Sequence, residues 1–267
     1  MSPYTDRIEA ALQGYMTLGG EAPILQESMA YSLLAGGKRV RPCMCLAVCE
    51  TLGGDWEGAL PLACALEMIH TYSLIHDDLP AMDNDAMRRG RPASHIRFGE
   101  GNAILAGDGL LTLAGCVLLS APGDMQAKKE IFDGAMDMAR GQSLDLNQPT
   151  ENRETLETLH EYKTGALFRA AVLAGARAAG ASEEELPRWR DFARDMGLLF
   201  QITDDILDEE KDKKEHKLTY VTLLGREGAL REAQRYCEKA CACLEGYENE
   251  GAEYLRTLAQ KMVTRQA

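Results

Sequence analysis

The chain has 267 residues, 45% of them hydrophobic and 27% charged, a composition that suits a globular protein with a large apolar core and argues against disorder. Its formal net charge of −13 argues against a nucleic-acid backbone or an anionic membrane surface as the main partner, because both repel it at long range. The N-terminal segment MSPYTDRIEAALQGYM lacks the basic start and apolar run of a secretory signal, so a cytoplasmic location is expected.

Apolar residues recur at three- and four-residue spacing, separated by short Gly, Pro or Asp clusters, and strand-like alternation is nearly absent. In chain order the pattern predicts helices over about 4–17, 24–36, 40–53, 57–78, 93–97, 101–120, 124–147, 152–179, 183–210, 217–224 and 227–265. The stretch from Gly109 to Gly123 is shorter than the ~20 residues of a membrane span and reads as a buried core helix. No linker, repeat or low-complexity tract divides the chain. The expected architecture is all-α: one domain over 1–267, a single large helical bundle with its site between facing helices.

Between the second and third helices, AGGKRVRP places Lys38, Arg39 and Arg41 beside glycines that allow close approach to an anion. A second basic group, Arg88, Arg89 and Arg91 in MRRGRP, has the planar forks that match phosphate oxygens. For either group alone, surface solubility and helix capping remain the alternative. The clusters Cys43, Cys45, Cys49 and Cys237, Cys241, Cys243 lack zinc-knuckle spacing and read as small buried hydrophobes of a reducing compartment, with a metal or redox role as the alternative.

The fourth helix carries His70, Leu74 and Asp77 along one face, and Pro80 ends it, so Asp77 and Asp78 occupy its last turn ahead of a loop with Asp83, Asn84 and Asp85. Carboxylates at a helix C-terminus meet the negative end of the dipole and one another, and a bound cation reverses both effects. A solvated acidic loop is the alternative for this cluster alone. Much later, Gln201, Asp204, Asp205 and Asp208 share one face of an otherwise apolar helix. Oxygen ligands without His or Cys suit Mg²⁺, which binds through one or two carboxylates, water and substrate phosphates. Lys163 and Thr164 can add an ammonium and a hydroxyl at the rim of the same cavity, while His70 and His76 can equally be core or capping residues.

Taken in order, GGKRVRP, IHTYSLIHDDLPAMDNDAMRRGRP, YKTGALFRAA, FQITDDILD and HKLTYVTLLG resemble the motif series of the bacterial trans-prenyl diphosphate synthases of the farnesyl diphosphate synthase type, over nearly the whole chain. The resemblance implies an isoprenoid synthase-like bundle with a central apolar cavity. It also implies Mg²⁺ at Asp77, Asp78, Asp83, Asp204, Asp205 and Asp208. Isopentenyl diphosphate would be held by Lys38, Arg41, His70 and Arg89, and the allylic diphosphate (dimethylallyl or geranyl) by Arg88, Lys163, Thr164, Gln201 and Lys217. Ionisation of the allylic diphosphate and attack by the isopentenyl double bond need no protein nucleophile. Asp77, Asp78, Asp83, Arg88, Lys163, Asp204, Asp205 and Lys217 would form the catalytic set.

Tyr72, five residues and roughly 7.5 Å before Asp77 on the helix, with small Ser73 beside it, resembles the floor that stops elongation at farnesyl diphosphate; geranylgeranyl synthesis is the nearest competitor. A homodimer is also implied. The chain departs from the family after Asp208, where EEKDKKEHKLTY is about a dozen residues short and the usual Gly-Lys lysine has no counterpart, although Lys211, Lys213 and Lys214 can partly substitute. Two readings from other classes compete: a helical HD-type phosphohydrolase built on His70, His76 and Asp77, and a non-catalytic partner subunit.

Overall fold

The computed structural model describes residues 3–17, 22–148, 150–210 and 217–264; Lys211, Lys213 and Lys214 lie outside them. Described residues form two compact units, Met1–Leu46 with Glu57–Gly123, and Ala47–Trp56 with Asp124–Ala267.

In the first unit, α1 (Pro3–Met16) buries Tyr4, Ile8, Leu12 and Met16, a strict four-residue stripe. Helix α2 (Pro23–Leu33) starts on a proline whose missing N–H costs nothing at a helix entrance. Helix α4 (Leu60–Asp77) is the spine, with every residue from Leu62 to Ile69 buried. Two elements escaped the periodicity: the strands β1 (Met87–Arg88) and β2 (Arg91–Pro92), an antiparallel pair pairing Met87 with Pro92 and Arg88 with Arg91. Arg89 and Gly90 between them both have positive φ, 52° and 72°, which is the turn a two-residue hairpin requires. Short α5 (Ser94–Phe98) follows.

Helix α6 (Glu100–Ser120) corrects the expectation of a fully buried helix. It is longer than the uncharged stretch suggested and, by length and composition alone, apolar enough to cross a membrane, with 39% of that window buried. It packs on α4, where Gly107 lies against His76, and buries Ala103, Ala106 and Leu110, while Ile104, Leu105 and Leu119 face outward.

Helix α3 (Val40–Thr51) begins in the first unit and ends in the second. The second unit continues with α7 (Met125–Asn147), α8 (Arg153–His160), a π-helical turn (Glu161–Gly165), α9 (Ala166–Ala178), α10 (Leu186–Leu207), α11 (Tyr220–Ala242, kinked at Gly225) and α12 (Glu250–Val263). Capping boxes at Asn152–Thr155 and Thr219–Thr222 start α8 and α11. The single helix expected over 227–265 is broken, because Arg188 donates to the carbonyls of Cys243 and Glu245 and Arg256 to that of Leu244, satisfying the end of α11 before Gly246 turns the chain at φ 85°. Its core is Trp189 and Phe192 of α10, rings edge-on at 5.7 Å.

No disulfide forms among the described cysteines. Cys43, Cys45, Cys49 and Cys237 are buried as expected, but Cys241 and Cys243 at the end of α11 are only half-buried; Cys64 is buried and Cys116 exposed. Burial pushes the thiols of Cys49 and Cys64 up to about 12, which keeps them protonated and unreactive.

Candidate active site

In the first unit the acidic end of α4 folds back on itself. The backbone N–H of Asp83 donates to the Asp77 carbonyl at 2.9 Å and that of Asn84 to the Leu79 carbonyl at 3.1 Å, with Asn84 in the left-handed region at φ 54°. Asp83 is thereby returned to the helix end that carries Asp77. Asp78 lies differently: it is 2% exposed, and Arg88 grips it, Nε donating at 2.9 Å to Oδ1 and 3.3 Å to Oδ2 while Nη2 also meets Oδ1. Burial raises the Asp78 pKa despite the opposing pull of Arg88. This position makes Asp78 a brace for Arg88, and Asp77 and Asp83 the outward carboxylates.

The six basic residues separate into two kinds. Lys38, Arg41, Arg88, Arg89 and Arg91 are at least partly accessible. Arg39 is turned inward, 2% exposed and bonded to Glu9 and Glu67. Arg91 stacks on Tyr31, its guanidinium carbon 4.0 Å from the ring centre, and the Tyr31 hydroxyl donates to the Pro92 carbonyl at 2.9 Å, clamping the hairpin. Arg89 reaches the Gly36 carbonyl. A Cβ at Gly37 would stand 3.0 Å from the Arg89 guanidinium carbon, and its φ of +140° disfavours side chains, so glycine is required there.

Arg41 Nη1 lies 3.4 Å from His70 Nε2. Burial, then the cations Arg41, Arg89, Arg39 and Arg88, hold the His70 pKa well below its ordinary value, so the ring is neutral within a positive cluster. The sequence-predicted set Lys38, Arg41, His70 and Arg89 thus comes from the glycine loop, the start of α3, α4 and the hairpin.

His76 turns toward α6, its Nε2 3.1 Å from the Ile104 carbonyl, over Gly107, where a Cβ would lie 2.1 Å from that nitrogen. His70 and His76 therefore face different partners and do not pair around a metal. Tyr72 stands edge-on to His76 at 5.8 Å, and the Ser73 hydroxyl donates back to the His70 carbonyl at 2.9 Å.

The second unit holds a cavity of about 530 Å³ whose walls include Lys163, Thr164, Gln201, Asp204, Asp205, Asp208 and Lys217. These are all the described substrate- and metal-binding residues expected in this unit. Helix α10 presents the carboxylates, and the π-turn presents Lys163 and Thr164. That turn exists because Gly141 of α7 admits its backbone: a Cβ at 141 would lie 2.3 Å from the Lys163 nitrogen. Such turns inside helices often mark functional positions.

A hydrogen-bonded chain orders the wall. The Thr164 hydroxyl donates to Gln201 Oε1 at 2.9 Å, Gln201 Nε2 to Asp205 Oδ1 at 3.3 Å, and the Tyr220 backbone N–H at the start of α11 to Asp205 Oδ2 at 2.8 Å. Asp205, 5% exposed, is anchored at a helix N-terminus, leaving Asp204 and Asp208 as the more accessible carboxylates. Asp145, which pairs with Lys163, was not anticipated. Its charge sits in the ordinary polar pattern of α7, and the four-residue code of a helix does not reveal a partner eighteen residues away.

Residues 22–221 match the polyprenyl synthetase family. A geranylgeranyl diphosphate synthase of Cyanophora paradoxa is 47% identical, over 83% of this chain and 81% of that protein, and a dimethylallyltranstransferase of Fischerella ambigua is 43% identical over 97% and 81%. Among solved structures, an FPP/GFPP synthase of Zymomonas mobilis superposes with a TM-score of 0.87 at 35% identity, over 97% of this chain and 96% of that one; a geranyltransferase of Legionella pneumophila gives 0.89 at 33%, over 98% and 94%. With all-α architecture, both acidic motifs and these likenesses together, the chain belongs to the polyprenyl synthetase family and is a prenyltransferase.

Proposed function

We propose that the chain condenses isopentenyl diphosphate head to tail with an allylic diphosphate as a single catalytic domain, a reading supported by the unbroken family match over 22–221. The observation that carries it is the 530 Å³ cavity, where an ammonium, a hydroxyl, an amide and carboxylates converge. Such a wall binds and polarises a diphosphate rather than attacking a carbon.

Magnesium suits the donors. They are carboxylates, which suit a hard cation that completes its shell with water and phosphate oxygens. Asp77 with Asp83 at the end of α4, and Asp204 with Asp208 at the end of α10, would each hold such a cation. When bound, Mg²⁺ supplies positive charge to the departing diphosphate. Lys163 and Lys217 add fixed cations, Thr164 and Gln201 orient the bound group, and Asp78 and Asp205 brace Arg88 and Gln201. The basic cluster of Lys38, Arg41, Arg89 and neutral His70 would take isopentenyl diphosphate.

For product length, the names of the curated relatives favour twenty carbons, several being geranylgeranyl diphosphate synthases. Tyr72 favours fifteen, since its ring stands on α4 one and a half turns before Asp77, where a growing tail would end. A homodimer is supported by the outward apolar stripe of α6, Ile104, Leu105 and Leu119. Incubation with Mg²⁺, dimethylallyl diphosphate and isopentenyl diphosphate, followed by sizing of the prenyl products, tests the activity and chooses between the two lengths.

A further inference from the structure

Arg39 has the wrong backbone for an arginine and the wrong surroundings for a ligand-binding cation. Its φ of 47° is left-handed, a strained region for a non-glycine residue that persists only where the surroundings over-determine it. The surroundings do so here. Its guanidinium donates to both oxygens of Glu9 on α1, at 2.7 and 3.3 Å, to buried Glu67 on α4, and to the Leu33 carbonyl at 2.8 Å.

Its backbone, meanwhile, belongs to the basic loop. The Arg39 carbonyl accepts the N–H of Cys43 at 3.0 Å, opening α3, the helix that carries Arg41. Lys38 precedes it directly, and two residues further back the Gly36 carbonyl receives Arg89. Glu67 lies one helical turn before His70. The buried cation thus ties α1 and α4 to the one stretch of chain that sets the direction of Lys38 and Arg41.

We infer that Arg39, held by Glu9 and Glu67, is a positioning residue for the isopentenyl diphosphate half-site, and that α1 takes part in substrate recognition although it lies outside the family-matched residues 22–221. This rests on the function proposed above. Arg39 touches no substrate; it acts by fixing the loop in one conformation, so that the diphosphate meets cations already in place. Neutralising one carboxylate loosens that loop while leaving Lys38, Arg41, His70 and Arg89 intact.

The test is steady-state kinetics of Glu9→Gln, with Glu67→Gln beside it. Glu9 is the informative site because its side chain is 31% exposed, so the variant is expected to fold, whereas Arg39→Met removes the buried cation outright. The expected result is a rise in KM for isopentenyl diphosphate of about tenfold, with KM for dimethylallyl diphosphate and the melting temperature nearly unchanged. Glu67→Gln should repeat the selective rise with some loss of thermal stability. A folded Glu9→Gln enzyme with both KM values unchanged, or with both raised alike, overturns the inference while leaving the proposed function intact. Wild-type protein that makes no prenyl product overturns the function, and the inference falls with it; the wild-type control tells the two failures apart.

Discussion

Asp83 donates its backbone N–H to the carbonyl of Asp77 at 2.9 Å, so two carboxylates six residues apart in sequence sit at one helix end. Negative charge gathered at the negative pole of α4 is unfavourable without a cation. Asp77→Asn and Asp83→Asn should each lower kcat by about 10²- to 10³-fold and raise the Mg²⁺ concentration needed for half-maximal rate, with circular dichroism unchanged. Full activity of both variants at low Mg²⁺ would remove this pair from the metal site.

Gly141 supplies the space in which the π-turn lies. In Gly141→Ala the new methyl would meet the Lys163 backbone nitrogen at 2.3 Å, too close to be absorbed by a rotamer change. Lys163 and Thr164 must move, and overpacking of this kind costs about 1–3 kcal/mol of stability. The expected kinetic loss is at least about tenfold, read at a temperature where the variant is fully folded. Wild-type rates would mean that the turn's geometry is not used.

Most of the helices were legible because their apolar stripes follow the helical period, and Tyr4, Ile8, Leu12 and Met16 of α1 are the plainest case. Both acidic clusters were legible for the same reason: Asp77, Asp204, Asp205 and Asp208 stand at fixed offsets on helix faces. What periodicity could not convey is which charges are consumed internally. Arg39 looks like Arg41 and Arg89 in sequence, and only the long-range partners Glu9 and Glu67 set it apart. Asp78 and Asp205 likewise read as ligands until Arg88 and the Tyr220 N–H are seen on them. The break between α11 and α12 was missed because the arginines that satisfy its carbonyls come from elsewhere in the fold, Arg188 on α10 and Arg256 on α12.

Two histidines make stability depend on pH. Burial, ahead of the nearby arginines, holds His70 well below its ordinary pKa of about 6.5, and burial lowers His160 to about 4. Each is neutral in the folded protein and takes up a proton more readily when unfolded, so its contribution is present at neutral pH and is lost as pH falls below about 6.5. For His160 the loss is on the order of 3 kcal/mol by pH 4. Urea unfolding between pH 5 and 8 should show stability falling on the acid side, with a flatter profile for His160→Gln. A flat wild-type profile would contradict the assignment.

Tyr72 offers a direct reading of product length. If its ring is the floor, wild-type protein releases mainly farnesyl diphosphate and Tyr72→Ala shifts the product toward geranylgeranyl diphosphate. The helix itself should tolerate the change, since alanine is the better helix former. Chromatography of the dephosphorylated products checks this, and an identical product spectrum in the two proteins removes Tyr72 from that role.

Product formation by purified protein is the most direct test of the central claim, that aspartate motifs able to hold Mg²⁺, with the cations beside them, assist the departure of diphosphate from an allylic carbon so that a new carbon–carbon bond can form. With dimethylallyl diphosphate, isopentenyl diphosphate and Mg²⁺, prenyl diphosphates of fifteen or twenty carbons should appear and inorganic diphosphate should be released in step with each condensation. EDTA should abolish both. Diphosphate release without any chain elongation, or no consumption of either substrate, would contradict the account.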